Sequence, residues 1–339
     1  MKLESTERVS AIPGCDPCRG TVRWAPSKSL WLGAMTAVGV VGAPLTASWD
    51  AAAVFVALTG VTVCAGHSVG MHRLLIHRSF EAPLALERLL VWLGTLVGMA
   101  GPFGMIRAHD TRDWLQRQRD CHDHAAHRRE PLADYWWQTH CALELDRPPR
   151  LEIEPRVRED RFYRWLEATW MGQQLPVALV LFALGGWGWV VWGVCLRVSV
   201  SLTGHWLIGH LAHRGRSHAW HIDGLAVQGY DVAGAGLITF GEAWHGNHHA
   251  WPGSARLGLF PGQADPGWWL VSALERVGLA RNVQTPERLA PRDGARLVVA
   301  GGPGGAPGAV GAAAVATRRQ RSPVKRGARL SRNAATPSA

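Results

Sequence analysis

Cysteine is scarce in this chain, six of 339 residues, and what its placement lacks is informative. Cys15 and Cys18 form a lone CxxC without the second pair that a zinc ribbon needs, and the other four are scattered. No CxxCH haem attachment and no cysteine run of ferredoxin or rubredoxin spacing occurs, so an electron carrier fused to this chain is not expected. An HExxH motif is also missing, which argues against a zinc hydrolase of that type. Residues 1–28 are polar and hold no apolar stretch of the kind found in a cleavable signal peptide. Acid is absent from the C-terminal stretch. From Arg296 onward there are eight Lys or Arg and no Asp or Glu, so all but about +2 of the formal net charge of +10 resides there. That Gly-, Ala- and Pro-rich tail cannot bury a core, and attraction to anionic headgroups explains its charge more simply than nucleic-acid binding does.

The apolar residues, 47% of the chain, are bunched rather than spread, as in a membrane protein. Candidate spans cover residues 30–47, 51–66, 169–186 and 187–204, each near the lower end of the ~17–25 residues that cross hydrocarbon. They pair into two tight hairpins. The turns, Ser48-Trp49-Asp50 and Gly185-Gly186-Trp187, carry no Lys or Arg, while the long segments on the other side carry nearly all of them. The positive-inside rule therefore places both termini and the histidine-rich segments in the cytoplasm, where structural disulfides are not expected. A fifth apolar stretch, 89–106, is broken at Gly101-Pro102 and Gly104 and reads as an interfacial helix on the cytoplasmic face. The expected fold is all-α and integral to the membrane, with four transmembrane helices in two hairpins beneath a cytoplasmic helical cap. Its domain is 29–292, between a polar segment 1–28 and a disordered basic tail 293–339. Trp187, Trp189 and Trp192 suit the headgroup level. Arg197, inside a span, calls for a polar interior or a neighbouring helix.

Sixteen histidines are present, and the outer clusters stand beside long apolar segments. His245, His248 and His249, in GEAWHGNHHAWPG, are three and four apart and share one helix face. His72 and His77, in GMHRLLIHRSF, are five apart, about 140° around a helix of ~3.6 residues per turn, and so suit two neighbouring ions better than one. Imidazole binds iron, zinc, copper or nickel, which leaves the metal open.

These motifs resemble those of a known family. His72-Arg-Leu-Leu-Ile-His77-Arg78-Ser79-Phe80 resembles the HRxxxHRS box of the membrane fatty-acid desaturases. Gly241 to His249, followed by Trp251-Pro252-Gly253, resembles their GExWHNNHHxFPG box, in the acyl-CoA delta-9 (stearoyl-CoA-type) branch. The likeness runs from about Leu30 to about Leu279. It implies four membrane helices with a cytoplasmic cap holding a diiron site. It also implies that O2 and two external electrons introduce a cis double bond into a saturated acyl chain. Carried over residue by residue, His72, His77, His245, His248 and His249 match iron ligands. His109 matches the first histidine of the middle HRxHH box, and His213 matches the ligand that ends the fourth helix. The implied partners are a fatty acyl-CoA or another acyl carrier or lipid, and a separate electron donor of ferredoxin, rubredoxin or cytochrome type with its reductase.

Three departures from the family pattern, at four positions, matter. Arg112 and Asp113 stand where the middle box has two further histidines, Gly209 where an asparagine often reaches iron through water, and Gly246 where the last box has an asparagine. Arg112 is permanently protonated and cannot bind a cation, whereas Asp113 could serve as a ligand. The loop ending at His127 offers His122, His124 and His127 as substitutes. Glu242 and Asn247 are candidates for hydrogen bonds to ligand imidazoles. Arg73, Arg78 and Arg107 could meet a phosphate-bearing head group or be ordinary positive-inside residues. Because the oxidant must be kept from water, a narrow apolar channel for the acyl chain is expected between the helices. Two other readings stay open: a hydroxylase acting at the same centre, and a weakened lipid- or metal-binding protein, the latter suggested by Arg112 and Asp113.

Overall fold

The computed structural model describes residues 7–215 and 219–298; of the tail expected from 293, residues 295–297 form a strand paired with 220–222, and the rest from residue 299 lies outside the described residues. In chain order the elements are β1 (Val9–Ser10), β2 (Gly20–Trp24), α1 (Pro26–Leu45), α2 (Trp49–Ile76), α3 (Leu84–Thr95), α4 (Pro102–Gln116), α5 (Pro131–His140), β3 (Cys141–Leu145), β4 (Arg150–Leu151), α6 (Pro155–Arg158), α7 (Arg161–Thr169), α8 (Gln174–His213), β5 (Trp220–Ile222), α9 (His245–Ala250), α10 (Pro266–Arg276) and β6 (Ala295–Leu297). The chain is mostly helical rather than wholly so. Three two-stranded antiparallel sheets, β1–β4, β2–β3 and β5–β6, stitch the polar cap. Two of them tie residues 9–24 to 141–151, which draws the polar N-terminal segment into the cap.

Among the described residues three helices, α1, α2 and α8, are long and apolar enough to cross a membrane. Ser48 starts α2, its Oγ accepting from Ala51 N–H at 3.3 Å, with Asp50 favourably placed in the first turn. The predicted spans 169–186 and 187–204 both fall largely within α8. Gly186 breaks that helix with φ 67° and ψ −161°, a region open essentially to glycine alone. The chain doubles back there. Arg197 Nη2 donates to Gln174 Oε1 at 2.7 Å, although twenty-three residues of continuous helix would span about 35 Å. A Cβ on Gly193 would likewise lie 2.7 Å from Leu181 Cδ1 and 3.0 Å from Val54 of α2. The two hairpin turns meet, Trp189 Nε1 donating to Asp50 Oδ2 at 2.6 Å, and Trp49 and Trp187 project from them. Leu45, Val56, Leu179 and Leu184 face outward along the helices, as a lipid-facing surface requires.

Arg197 proves to be a lock between helices. Fully buried, its guanidinium donates to Gly193 O, Leu96 O, Thr62 Oγ1 and Gln174 Oε1, which gives each of its three nitrogens an acceptor without a carboxylate.

The 89–106 stretch is not one helix. α3 ends at Thr95, Gly98 takes φ +86°, and α4 begins at Pro102, where a missing N–H costs nothing. α3 lies tight against α2 because Gly66, Gly70 and Gly94 let the backbones touch; a Cβ on Gly70 would collide with the Leu90 carbonyl. Met71, Leu75, Ile76, Val91, Met105, Ile106 and Tyr163 then form a core that joins α2, α3, α4 and α7. Both α2 and α8 run on past their predicted ends, at 66 and 204, and carry histidines at their last turns.

Candidate metal centre

The ends of α2 and α8, the middle of α4 and the short α9 converge on two clusters of imidazoles. His72, His77, His109 and His248 form one, and His213, His245 and His249 the other, with the ligand atoms in each within 4.8 Å of one another. His72 and His77 therefore share a group rather than serving two. The reason is helix type: Val61–Ile76 winds as a π-helix, with i→i+5 bonds such as His77 N–H to His72 O at 3.0 Å. Five residues then make about one turn, and the rings lie 4.8 Å apart.

Three of the rings have a polar neighbour at the far nitrogen. His109 Nδ1 lies 2.9 Å from Asp110 Oδ1, whose partner oxygen accepts from Arg8 Nη1 at 2.9 Å. His213 Nδ1 donates to Gly209 O at 2.7 Å, which leaves its Nε2 a bare lone pair. Glu242 Oε2 sits 2.7 Å from His72 Nδ1, off the line of an ideal hydrogen bond, while Oε1 accepts from Arg73 and Ser68. The near nitrogens face one another: His77 and His109 Nε2 at 3.2 Å, His213 and His245 at 3.1 Å, His245 and His249 at 3.0 Å. A single N–H on His245 cannot satisfy both of its neighbours. Nitrogen ligands ~2.1 Å from one ion stand ~3.0–3.4 Å apart, so the facing atoms are spaced as ligands to a common ion would be. Burial, reinforced by the neighbouring imidazoles, pushes His77, His245, His248 and His249 well below the ordinary histidine pKa. They stay neutral, the form that binds metal.

No family model matches the chain. It is, however, 32% identical over 249 residues to the sn-1 stearoyl-lipid 9-desaturase of Anabaena variabilis, covering 72% of this chain and 88% of that one. The chain belongs to the fatty-acid desaturase family. It is similar too to the sn-2 palmitoyl-lipid 9-desaturase of Nostoc sp. (strain 36), 30% identical over 242 residues covering 70% and 82%, and to the acyl-CoA C20 Delta5-desaturase of Anemone leveillei, 28% over 253 residues covering 73% and 78%. As a desaturase the protein is an oxidoreductase. Membership does not narrow it to the acyl-CoA delta-9 branch, since the relatives' names span acyl-lipid and acyl-CoA types and more than one position.

The desaturase's remaining candidate residues divide. Asp113 does not join a group: it is held by Arg292 and Arg117, each at 3.1 Å. His122 Nδ1 accepts from His124 N–H, both rings lie near Trp137, and neither joins one of the groups. His127 lies with Asp134 and His210 in a third cluster. Asn247 does not reach an imidazole, because it accepts from Trp220 Nε1 and donates to Leu257 O and Gln263 Oε1, bracing α9. Gly246 has its own reason: a Cβ there would lie 3.1 Å from both Asp231 Oδ1 and Gly229 O. Sequence reasoning missed Arg8, Asp110, Asp134, His67 and His205. The last two rings meet at 5.0 Å, with His67 stacked over His72. The spacing His67, His72, His77 was the signal, since steps of five mark one face of a π-helix.

Proposed function

We propose that this desaturase introduces a cis double bond into a saturated acyl chain, with His72, His77, His109 and His248 holding one iron and His213, His245 and His249 a second. Bound iron supplies the oxygen activation that no side chain can. The overall change balances: the acyl CH2–CH2 unit gives up two hydrogens, a donor supplies two electrons, two protons come from water, and O2 leaves as two water molecules. Protein groups bind and aim. Glu242, Asp110 and the Gly209 carbonyl fix ring orientation, and the neutral imidazoles keep their lone pairs for the ions.

The helical hairpins, with exposed Trp49 and Trp187 at one end and the histidines at the other, support four crossings with both termini and the centre in the cytoplasm. A cavity of about 220 Å³ reaches His77 and His109 past Arg8, Arg117 and Arg292. Its three arginines are paired with Glu7, Asp110 and Asp113, and electrons come from a separate donor protein of ferredoxin, rubredoxin or cytochrome type, served by its own reductase. The substrate is an acyl-CoA or an acyl-lipid.

The observation that carries the proposal is the facing of Nε2 atoms within two groups in a chain 32% identical to a stearoyl-lipid 9-desaturase. Expression in a desaturase-deficient host, read by gas chromatography with double-bond derivatisation, tests it. A new monounsaturated acid is expected from the native chain and none from His245→Ala; a hydroxylated product, or an unchanged profile with the protein present and reduced donor supplied, would overturn it.

A further inference from the structure

Outside both histidine groups, Asp134 of α5 is wholly buried and accepts three hydrogen bonds at one oxygen. Oδ2 receives His127 Nδ1 at 2.9 Å, His210 Nδ1 at 2.8 Å and the Trp206 indole Nε1 at 2.9 Å. Indole is a donor only, so this oxygen is the acceptor of a hydrogen-bonded hub rather than one arm of an ion's coordination shell. Both imidazoles thus carry their proton on Nδ1. His127 Nε2 is left with a bare lone pair, buried and without a hydrogen-bond partner.

The His127 ring lies beside His213 of the second group. The His127 and His213 rings are parallel within 3° and 5.2 Å apart, inside the 4.6–5.5 Å range that separates the rings of His213, His245 and His249. A Cβ on Gly209 would stand 3.8 Å from His127 Nε2 and Cε1, so a longer side chain at 209 would take the space into which the imidazole faces. The charge of Arg112 acts on both His127 and Asp134, in a middle box that lacks two ligands.

We propose that His127 is a further ligand to the metal held by His213, His245 and His249, and that Asp134 is its positioning residue. The inference rests on the two-metal reading above. A carboxylate behind an imidazole fixes its tautomer and raises its basicity as a ligand, which offsets the repulsion that Arg112 exerts on a cation nearby.

The test is a Co2+ titration of the metal-free, full-length protein in detergent, following the ligand-field absorption of each equivalent, with His127→Gln and His127→Ala beside it. Gln retains a donor toward Asp134 and lacks the imidazole lone pair. Ala leaves a hole that free imidazole can enter through the cavity of about 300 Å³ lined by His127, His213 and Gln228. The native chain is expected to take up two equivalents. Both variants should keep the first step, which reports an intact fold, and weaken the second at least tenfold with a changed band; imidazole should restore it in His127→Ala. Asp134→Asn should weaken the second step less. Second steps that coincide with the native one, or loss of both steps together, would overturn the ligand assignment alone. A native chain that takes up a single equivalent would overturn the two-metal reading, and this inference with it.

Discussion

At the scale of the residue, most of the polar side chains that matter act on a ligand's far nitrogen. Glu242 touches His72, Arg73 and Ser68 at once, so Glu242→Ala is expected to weaken metal at the first group by 10–100-fold, measured by competition with a chelator. Arg8 is the least expected of these residues. Its guanidinium caps Leu75 O and Ile76 O at the end of the π-helix and pairs with Asp110 and Glu154, thereby reaching His77 and His109 from outside. Arg8→Ala should cost stability at the lower end of the ~3–5 kcal/mol of a broken buried pair, because Asp110 and Glu154 retain some solvent; the unfolding midpoint in detergent reads it. Burial raises the Glu154 carboxyl, but the hydrogen bond and charge of Arg8 outweigh it and hold the pKa below the ordinary value. For a depressed acid the stabilisation is complete above the ordinary carboxyl range and is lost as pH falls through the lower folded value. Glu154→Gln should therefore lose less stability than the native protein between about pH 5 and pH 2.

Elements explain what could and could not be read from the chain. The helical hairpins were legible because apolar runs, a Ser cap and a Gly-Gly turn all act locally, and the turn at Gly186 falls where the composition puts it. The grouping of His72 with His77 was not legible. It depends on a π-helix that sequence periodicity at ~3.6 residues per turn does not anticipate. The small sheets were hidden because strands of two to five residues carry too little alternation to stand out. Arg8 and Asp134 lie far in sequence from the rings they serve, and only the fold brings them together. Glycine contacts make a separable prediction. Gly70→Val should press α2 from α3, costing about 1–3 kcal/mol or more and disturbing the first group. Gly186→Ala should cost ~1–3 kcal/mol through strain at the far end while sparing the metal. Thermal unfolding with metal analysis distinguishes the two.

For the whole molecule, the apolar helices form a frame whose polar end carries both histidine groups, and the cap, from Arg8 to α10, holds those groups at fixed spacing. Family membership makes the chain a desaturase; the division of its histidines into a group of four and a group of three is the structural claim on which the account of its chemistry turns. The measurement that tests it most directly is the iron content of the purified full-length protein, with His248→Ala and His249→Ala, after growth in iron-replete medium. Two irons per chain in the native protein and about one in each variant are expected, because each substitution removes a ligand from a different group. One iron in the native protein, or two irons retained by both variants, would contradict the account.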